Sequence, residues 1–186
     1  MLVGCGGAPS NLHGSPRSLV LSLSQLPYPG FVAEKGRANN GVISNKAAAG
    51  GDRSVLRQYQ NEQRESAYVA TFIREVSPQE VVGPVVIGSS AVKYESAAGA
   101  SGGFTLAKQQ LDATGWTQVS TGSLGAEAVA FTESKALDQI QYQSFVIEWR
   151  QANVVNQVRI AGNAATLDLN YALSLARVQE RREMAS

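Results

Sequence analysis

The second half of the chain carries an alternation of apolar and polar residues that is typical of an antiparallel sheet. Phe145, Ile147 and Trp149 alternate with polar side chains, and because successive strand residues point to opposite faces, one face of this segment is predicted to be buried. Short connections between consecutive strands favour antiparallel pairing. The sequence therefore predicts a meander whose strands cover 116–120, 126–133, 140–150 and 153–161.

Helices are predicted on both sides of this meander in sequence. One covers 43–49 with Ser44 as its cap, one runs from Ala97 to about Gly115, and a last one follows Thr166 as cap, with Asp168 in its first turn. Two further strands are predicted over 18–24 and 58–75, and 81–92 is either a strand or an irregular helix entry. This order predicts the α+β class, with about five to six antiparallel strands and two to three helices packed on them.

The predicted helix after Ala97 contains Gly102 and Gly103. Each glycine inside a helix costs up to about 1 kcal/mol relative to alanine. We therefore expect packing to stabilise this helix, with the glycines allowing it to approach the sheet closely.

The overall composition excludes several functional classes. The 186 residues suit one domain with a substantial core, and 16 basic against 15 acidic residues leave a net charge of +1. A protein that binds nucleic acid through its phosphates normally carries a basic excess, so no nucleic-acid partner is expected. One His and one Cys exclude a Cys/His zinc site of three or four such ligands and an intramolecular disulfide. No metal site and no cofactor is expected.

The N-terminus carries the most specific short motif. Leu2, Val3 and Gly4 precede Cys5, and 6–17 is rich in small and polar residues. This motif resembles the lipobox of bacterial lipoproteins. The resemblance implies that Cys5 carries a lipid, that residues 1–17 are a residual signal segment and flexible tether, and that residues 18–186 form a domain held outside the cytoplasm at a bacterial membrane.

The order of the predicted elements carries a second resemblance. A lipoprotein-like start followed by strands and helices in this order is similar to the export-associated domains of the PsbP/Mog1-like group. The resemblance is one of element order and implies an antiparallel sheet layered with helices. A cystatin-like or ferredoxin-like layered fold is nearly as consistent with the same order.

Reactive side chains form no clear catalytic group. Ser90 and Lys93 have the serine–lysine spacing of penicillin-recognising enzymes, in which one helical turn brings the two together, but the other motifs of those enzymes are absent. Paired carboxylates that could act as acid and base are not singled out by their spacing. His13 lies in the predicted tether. We therefore predict that the protein is not an enzyme, with a hydrolase using carboxylates or Ser90 as a remote alternative.

Five aromatic side chains are the predicted ligand-binding candidates, and core packing is their alternative role. A cleft between sheet and helix lined by some of them would take a small apolar or glycan ligand. The candidates are Tyr68, Phe104, Trp116, Tyr142 and Trp149.

The sequence thus predicts a non-catalytic lipoprotein that binds a small ligand or another envelope protein. The alternative is a structural or assembly module that acts by docking onto a partner or as a homo-oligomer.

Overall fold

The computed structural model of the chain describes residues 11–34, 40–76, 82–137 and 140–185. Five helices and eight strands are formed within these ranges. The helices are α1 (Pro16–Leu19), α2 (Asn45–Ala48), α3 (Arg53–Asn61), α4 (Ala97–Ala113) and α5 (Leu169–Met184). The strands are β1 (Phe31–Ala33), β2 (Gly41–Ile43), β3 (Arg64–Arg74), β4 (Pro84–Tyr94), β5 (Thr117–Val119), β6 (Glu127–Leu137), β7 (Ile140–Gln151) and β8 (Val154–Asn163).

All eight strands belong to one antiparallel sheet. Its order is β1-β3-β4-β8-β7-β6-β5, and β2 pairs with β3 beside β1. The predicted α+β class with an antiparallel sheet is confirmed, and the sheet holds more strands than the five to six expected. The additional strands are short: β1 and β2 have three residues each and occupy the two halves of one edge of β3.

Helices pack against both faces of this sheet. Along β6, Ala130 packs with residues of α5, whereas its neighbours Val129 and Phe131 pack with residues of α4. We call the two surfaces the α5 face and the α4 face. Trp149 and Ile147 are fully buried on the α5 face, so the strand predicted to be the most one-sided does turn its large apolar residues inward.

The strand predicted over 18–24 is wrong. Pro16 occupies the first turn of α1, where its missing N–H costs nothing, and a 3-10 turn follows at Leu23–Gln25. Leu19 and Leu21 are buried, but the Leu21 N–H donates to the Ser89 hydroxyl (2.9 Å) rather than to a neighbouring strand. The alternation of Leu19 and Leu21 therefore reflects a short helix and the residues after it, which bury both side chains against the sheet.

The chain already contacts the domain at Leu12. This side chain is buried, and its N–H donates to Oδ1 of Asn153 in the β7–β8 turn (2.7 Å). Residues 1–10 of the predicted tether, including Cys5, lie outside the described residues. The part of the predicted tether from Leu12 onward therefore packs on the domain, while His13 within it is exposed.

Two boundaries in the first half differ from the predicted ones. The strand predicted from residue 58 begins at Arg64, because α3 occupies the preceding residues with Asp52 as its cap (2.7 Å to the Ser54 N–H). Gln63 has a positive φ of 55°, which turns the chain from helix to strand. The segment around 81–92, left open from the sequence, is strand β4.

Helix caps follow the predicted residue types. Ser44 caps α2 by accepting from the Ala47 N–H (3.2 Å), as predicted. The cap of α5 is Asp168 rather than Thr166, since the Asp168 carboxylate accepts from the N–H of Asn170 (2.8 Å). An ionised carboxylate at this end is favoured over a hydroxyl because it also interacts with the helix dipole.

Candidate functional site

The α4 face is covered only in part. Helix α4 contacts β4, β7 and β8, and beyond the helix the side chains of three strands line an open cavity of about 520 Å³. Val69 and Thr71 come from β3, Val86 and Gly88 from β4, and Arg159 from β8. The sheet floor beside α4 is therefore available to a molecule from solvent.

A second cavity, of about 180 Å³, lies between α4 and the sheet. Ser90 and Gln157 line both cavities, so the two adjoin, and we call them together the sheet-face cleft. The inner cavity is also lined by side chains from β3, β4, β7, β8, α3 and α4: Tyr59, Arg64, Val92, Tyr94, Leu106, Ala107, Gln110, Glu148 and Val155.

Glycines set how closely α4 approaches its neighbours, as predicted. A Cβ at Gly103 would overlap the ring and hydroxyl of Tyr94, and one at Gly99 would overlap the Glu62 carbonyl oxygen. Tyr94 is 3% exposed, so its ring has little room to move away. Because Gly99 and Gly103 have no side chains, α4 can lie close to Tyr94 and Glu62, and this position of the helix sets the height of the inner cavity above the sheet.

Glu148 is the one acid among the residues that line the sheet-face cleft. It is 4% exposed, and its Oε1 accepts from Nε2 of Gln157 (2.7 Å). Its other oxygen, Oε2, is buried without a hydrogen-bond partner among the described residues. Burial raises the pKa of Glu148 to about 7, and the Gln157 hydrogen bond lowers it in part. Since buried polar atoms are normally paired, this orphan oxygen makes Glu148 a candidate functional residue.

Arg64 supplies a cation to the same cavity. It is 7% exposed, its guanidinium lies over the Tyr59 ring (4.9 Å to the ring centre), and its Nη1 donates to Oδ1 of Asn45. Burial lowers its pKa. Within the described part of the chain, Arg64 forms no ion pair. The inner cavity is thus lined by one acidic and one cationic side chain, which form no ion pair with each other.

Tyr94 is subject to the fields of both charges. Burial raises the pKa of its hydroxyl well above the usual range, the positive charge of Arg64 lowers it, and the negative charge of Glu148 raises it. The hydroxyl therefore stays protonated at neutral pH. It can donate to, or accept from, a molecule in the cavity.

The groove on the α5 face is a weaker candidate. It has a volume of about 540 Å³ and is lined by residues near α1, by β1, β2 and β3, and by Arg182. The Arg182 guanidinium is already used, donating to the Ser18 carbonyl (3.1 Å) and to Oε1 of Gln25 (2.6 Å). The charged donor of this groove is thus engaged within the protein.

The five predicted aromatic residues are spread over both faces of the sheet. Trp149 is fully buried under α5, and Phe104, a residue of α4, is buried between this helix and the sheet. Tyr68 lines the groove on the α5 face, and the guanidinium of Arg17 lies 5.9 Å from its ring centre. Trp116 lies under the guanidinium of Arg159 (5.3 Å), and Tyr142 is half-buried on β7. None of the five lines the sheet-face cleft.

Ser90 and Lys93 cannot act as a pair. Both lie on β4, where a spacing of three residues places them on opposite faces. Ser90 lines the cleft, while Lys93 lies 3.7 Å from a Glu65 carboxylate oxygen. The spacing has chemical meaning only on a helix.

The residues of the cleft were missed in the sequence because the apolar pattern conceals them. Glu148 stands between Ile147 and Trp149 in the position predicted for a solvated face. A usable signal existed, because Val146 shares that face and indicates that it is partly buried. A glutamate beside such a residue is expected to be either paired or functional.

The fold is similar to that of a solved bacterial structure. The extracellular domain of PknH from Mycobacterium tuberculosis superposes with a TM-score of 0.63, at 11% sequence identity, over 92% of this chain and 95% of that one. No family model matches the chain, and no curated protein matches it. Among the described residues, no helix has the length and apolar character needed to cross a membrane.

Proposed function

We propose that the chain is a non-catalytic, extracytoplasmic binding domain whose sheet-face cleft takes a small polar molecule. The observation that carries the proposal is the buried carboxylate of Glu148, which lines the inner cavity and leaves Oε2 without a partner. Leaving a buried acceptor unpaired costs on the order of 1–3 kcal/mol, and more if it is charged. Because Glu148 lines a cavity, a bound ligand could supply the missing partner and remove this cost.

The lining of the cleft supports binding rather than catalysis. Acid–base chemistry on a bound molecule needs a second group of suitable pKa, or a nucleophile next to a base. Among the described residues no hydrogen bond joins the Ser90 hydroxyl to the Glu148 carboxyl group or to another base, and the remaining polar groups of the inner cavity are amides and tyrosine hydroxyls together with Arg64. These groups orient a ligand and hold it.

The extracytoplasmic location is supported by two independent features. The solved structure with the same fold is an extracellular domain, and the lipobox-like Leu2-Val3-Gly4-Cys5 offers a lipid anchor. We propose that Cys5 is lipidated and holds the domain at the outer side of a bacterial membrane.

Filling the inner cavity tests the binding function. Ala107 is half-buried on α4 and lines this cavity, whereas Ala113, near the end of the same helix, is exposed. A library of small polar metabolites is screened by ligand-observed NMR against the wild-type chain. We expect the compounds that bind to lose at least ten-fold in affinity on Ala107→Phe and to be unaffected by Ala113→Phe.

The same screen can overturn the proposal. It fails if no compound binds the wild-type chain, or if every compound binds Ala107→Phe as well as it binds wild type. Circular dichroism on both phenylalanine variants shows whether the fold is retained. A ligand that binds outside the cleft is identified because it binds Ala107→Phe with the same affinity as the wild-type chain.

Lipidation is tested by metabolic labelling. The complete natural gene, expressed in a bacterial host with a labelled fatty acid, should give a labelled, membrane-associated protein, because the Cys5 thiol is the only thiol of the sequence. Cys5→Ala should abolish the label, and Ser10→Ala, close by in the same segment, should leave it in place. An unlabelled wild-type protein, or a labelled Cys5→Ala protein, contradicts the anchor.

A further inference from the structure

We propose that the outer cavity of the sheet-face cleft binds a small organic carboxylate, whose carboxylate group lies over Gly88 and is held by Arg159. The inference concerns the cavity of about 520 Å³ beside α4. It goes beyond the proposed function, because it depends neither on Glu148 nor on the ligand of the inner cavity. It follows from a glycine in the sheet floor that packing does not require, and from the unneutralised arginine opposite it.

Gly88 lies inside β4 without a packing reason for a glycine. A Cβ at this position would make only ordinary contacts, 3.7 Å from the Cβ and 4.0 Å from the carbonyl oxygen of Arg159. Its φ lies outside the positive range that favours glycine. A glycine inside a strand weakens the strand and often marks a place where another group approaches the backbone. In this cavity, that group is a ligand.

The strand register surrounds Gly88 with polar side chains on the open face. Thr71 on β3 and Arg159 on β8 are directly opposite it, and Ser90 and Val86 are two residues away along β4. Directly opposed Cα atoms are about 4.5–5.5 Å apart, and Cα atoms two positions along a strand are about 6.8 Å apart. All five residues line the outer cavity. The space over Gly88 is therefore bordered by one arginine and two hydroxyl side chains.

The donors around this space are not used by the protein. Within the described part of the chain, the hydroxyls of Thr71 and Ser90 form no hydrogen bond. Arg159 is exposed, and its guanidinium lies 5.3 Å from the centre of the Trp116 ring, a contact that uses no N–H donor. It forms neither a hydrogen bond nor an ion pair with another described residue. An acceptor in the cavity can therefore take hydrogen bonds from these groups.

The charge of the outer cavity is suited to a monoanion. Arg159 is the one ionisable residue among the described residues that line it. The residues directly opposite Arg159 are Gly88 and Val146, so neither cross-strand position supplies the acid that often faces a cation in a sheet. Glu148 is diagonal to it, but Arg159 is not among the causes that set the pKa of Glu148. A carboxylate supplies one negative charge and matches the planar fork of a guanidinium.

The rest of the lining favours an organic acid over an inorganic anion. Val69, Val86 and Ala161 line the same cavity and provide apolar surface for a short hydrocarbon chain. A phosphate dianion would leave these side chains unused and would bring a second charge for which the cavity has no partner. A carboxylate with a short apolar chain uses both parts of the lining.

The proposal is tested by NMR titration of the isotope-labelled full chain at pH 7. The probes are hexanoate, hexanamide, which has the same shape without the charge, hexylamine, which is positively charged, and inorganic phosphate. We expect hexanoate to bind about ten-fold more tightly than the other three, the usual effect of a charge-assisted hydrogen bond. It should shift the backbone amide resonances of Gly88 and Arg159.

Substitution of Arg159 tests the cation. Arg159→Gln should weaken hexanoate binding about ten-fold, and Arg159→Lys, which keeps the charge but loses the fork, should weaken it less. Arg177 is exposed on α5, on the other side of the sheet. Arg177→Gln is therefore the matched control and should bind as the wild-type chain does.

Gly88→Ala separates a binding role from a structural one. The added methyl group occupies the space proposed for the carboxylate, so hexanoate binding should weaken about ten-fold. The urea midpoint should stay the same or rise, because alanine is favoured over glycine inside a strand. A lower midpoint would show that packing requires the glycine, and would overturn the argument for a ligand at this position.

The remaining outcomes decide the ligand class and the place. The proposal is wrong if hexanoate does not bind, if hexanamide, hexylamine or phosphate binds as tightly, or if Arg159→Gln binds hexanoate as the wild-type chain does. Ala107 lines only the inner cavity, so Ala107→Phe should leave hexanoate binding unchanged, and a loss of binding would contradict the outer position. Failure of hexanoate beside a metabolite that is sensitive to Ala107→Phe rejects this inference and leaves the proposed function in place.

Discussion

At pH 9, Glu183→Gln should be more stable than the wild-type chain by about 2–5 kcal/mol, and at pH 4 the two should be equally stable. Glu183 is on α5, is 1% exposed, and its Oε2 accepts from the Trp149 indole N–H (3.3 Å). Its Oε1 is buried without a hydrogen-bond partner among the described residues. Glutamine keeps an acceptor for the indole and carries no charge.

The pH dependence follows from the raised pKa of this group. Burial raises the pKa of Glu183 to about 8, its hydrogen bond from Trp149 lowers it, and the nearby charge of Glu180 raises it. The unfolded chain loses this proton near the ordinary pKa of 4.5, while the folded chain keeps it up to about pH 8. Between these values the unfolded state binds fewer protons, so stability falls as the pH rises.

The size of the effect follows from the same difference. One pKa unit corresponds to about 1.4 kcal/mol. The rise in the pKa of Glu183 from 4.5 to about 8 therefore lowers the free energy of unfolding by about 5 kcal/mol above pH 8. Glu148, with a pKa of about 7, should add a smaller loss over pH 4.5–7. The wild-type chain is therefore expected to be most stable in mild acid.

Urea unfolding at pH 4, 6, 8 and 9, followed by circular dichroism, measures these differences. Glu75→Gln is the control, because Glu75 is exposed and its replacement should shift no curve. The prediction is contradicted if the free energy of unfolding of Glu183→Gln depends on pH as strongly as that of the wild-type chain over pH 5–9. That result would show that burial does not raise the pKa of Glu183 in the folded chain.

Gly103→Ala should destabilise the chain by about 1–3 kcal/mol, which is the usual cost of forcing a group into a packed site. The added Cβ would overlap the Tyr94 ring, and Tyr94 is buried against α4. Either the helix or the ring must move, and both define the inner cavity. The gain in helix propensity, about 1 kcal/mol, offsets only part of this cost.

Gly102→Ala is the matched control for this substitution. Its added Cβ would meet only the Glu62 carboxylate, the far end of a flexible side chain that is half-exposed. We expect Gly102→Ala to be neutral or stabilising by up to about 1 kcal/mol. Equal losses in the two variants, measured by urea unfolding at pH 6, would contradict the close packing of Gly103 on Tyr94.

The part of the fold that the sequence predicts is the part governed by local pattern. The strands β6, β7 and β8 were predicted over 126–133, 140–150 and 153–161 from apolar–polar alternation, which is clearest at Phe145, Ile147 and Trp149 in β7. Helix α4 was predicted despite its glycines, and the structure shows the close approach that they allow. The cap at Ser44 was predicted because the orphan N–H groups at a helix start need an acceptor, whereas the cap of α5 is Asp168 and not the predicted Thr166.

The elements that the sequence missed depend on distant contacts. Strands β1 and β2 have three residues each and exist because β3 offers them an edge. Helix α3 was hidden because its last turn was assigned to the strand that follows it. Leu19 and Leu21 alternate like strand residues, yet they are buried from a short helix and a turn. In each case tertiary packing overrides the local pattern.

The cleft could not be assembled from the sequence, because it depends on the order of strands. Arg64 and Glu148 are 84 positions apart and line one cavity because β4 and β8 bring β3 and β7 to the same sheet. The aromatic residues chosen from the sequence are distributed over both faces, since residue type alone does not tell which way a strand residue points. Glu148 is the one residue that the pattern could have singled out.

The contact at Leu12 has a mechanical consequence. The Asn153 side chain receives the Leu12 N–H and donates to the carbonyl oxygen of Tyr94 (2.8 Å). Asn153 is in the hairpin between β7 and β8, and β8 is the middle strand of the sheet order. A force on the chain at Leu12 would be transmitted through the Asn153 side chain to the end of β4, where Tyr94 lines the inner cavity.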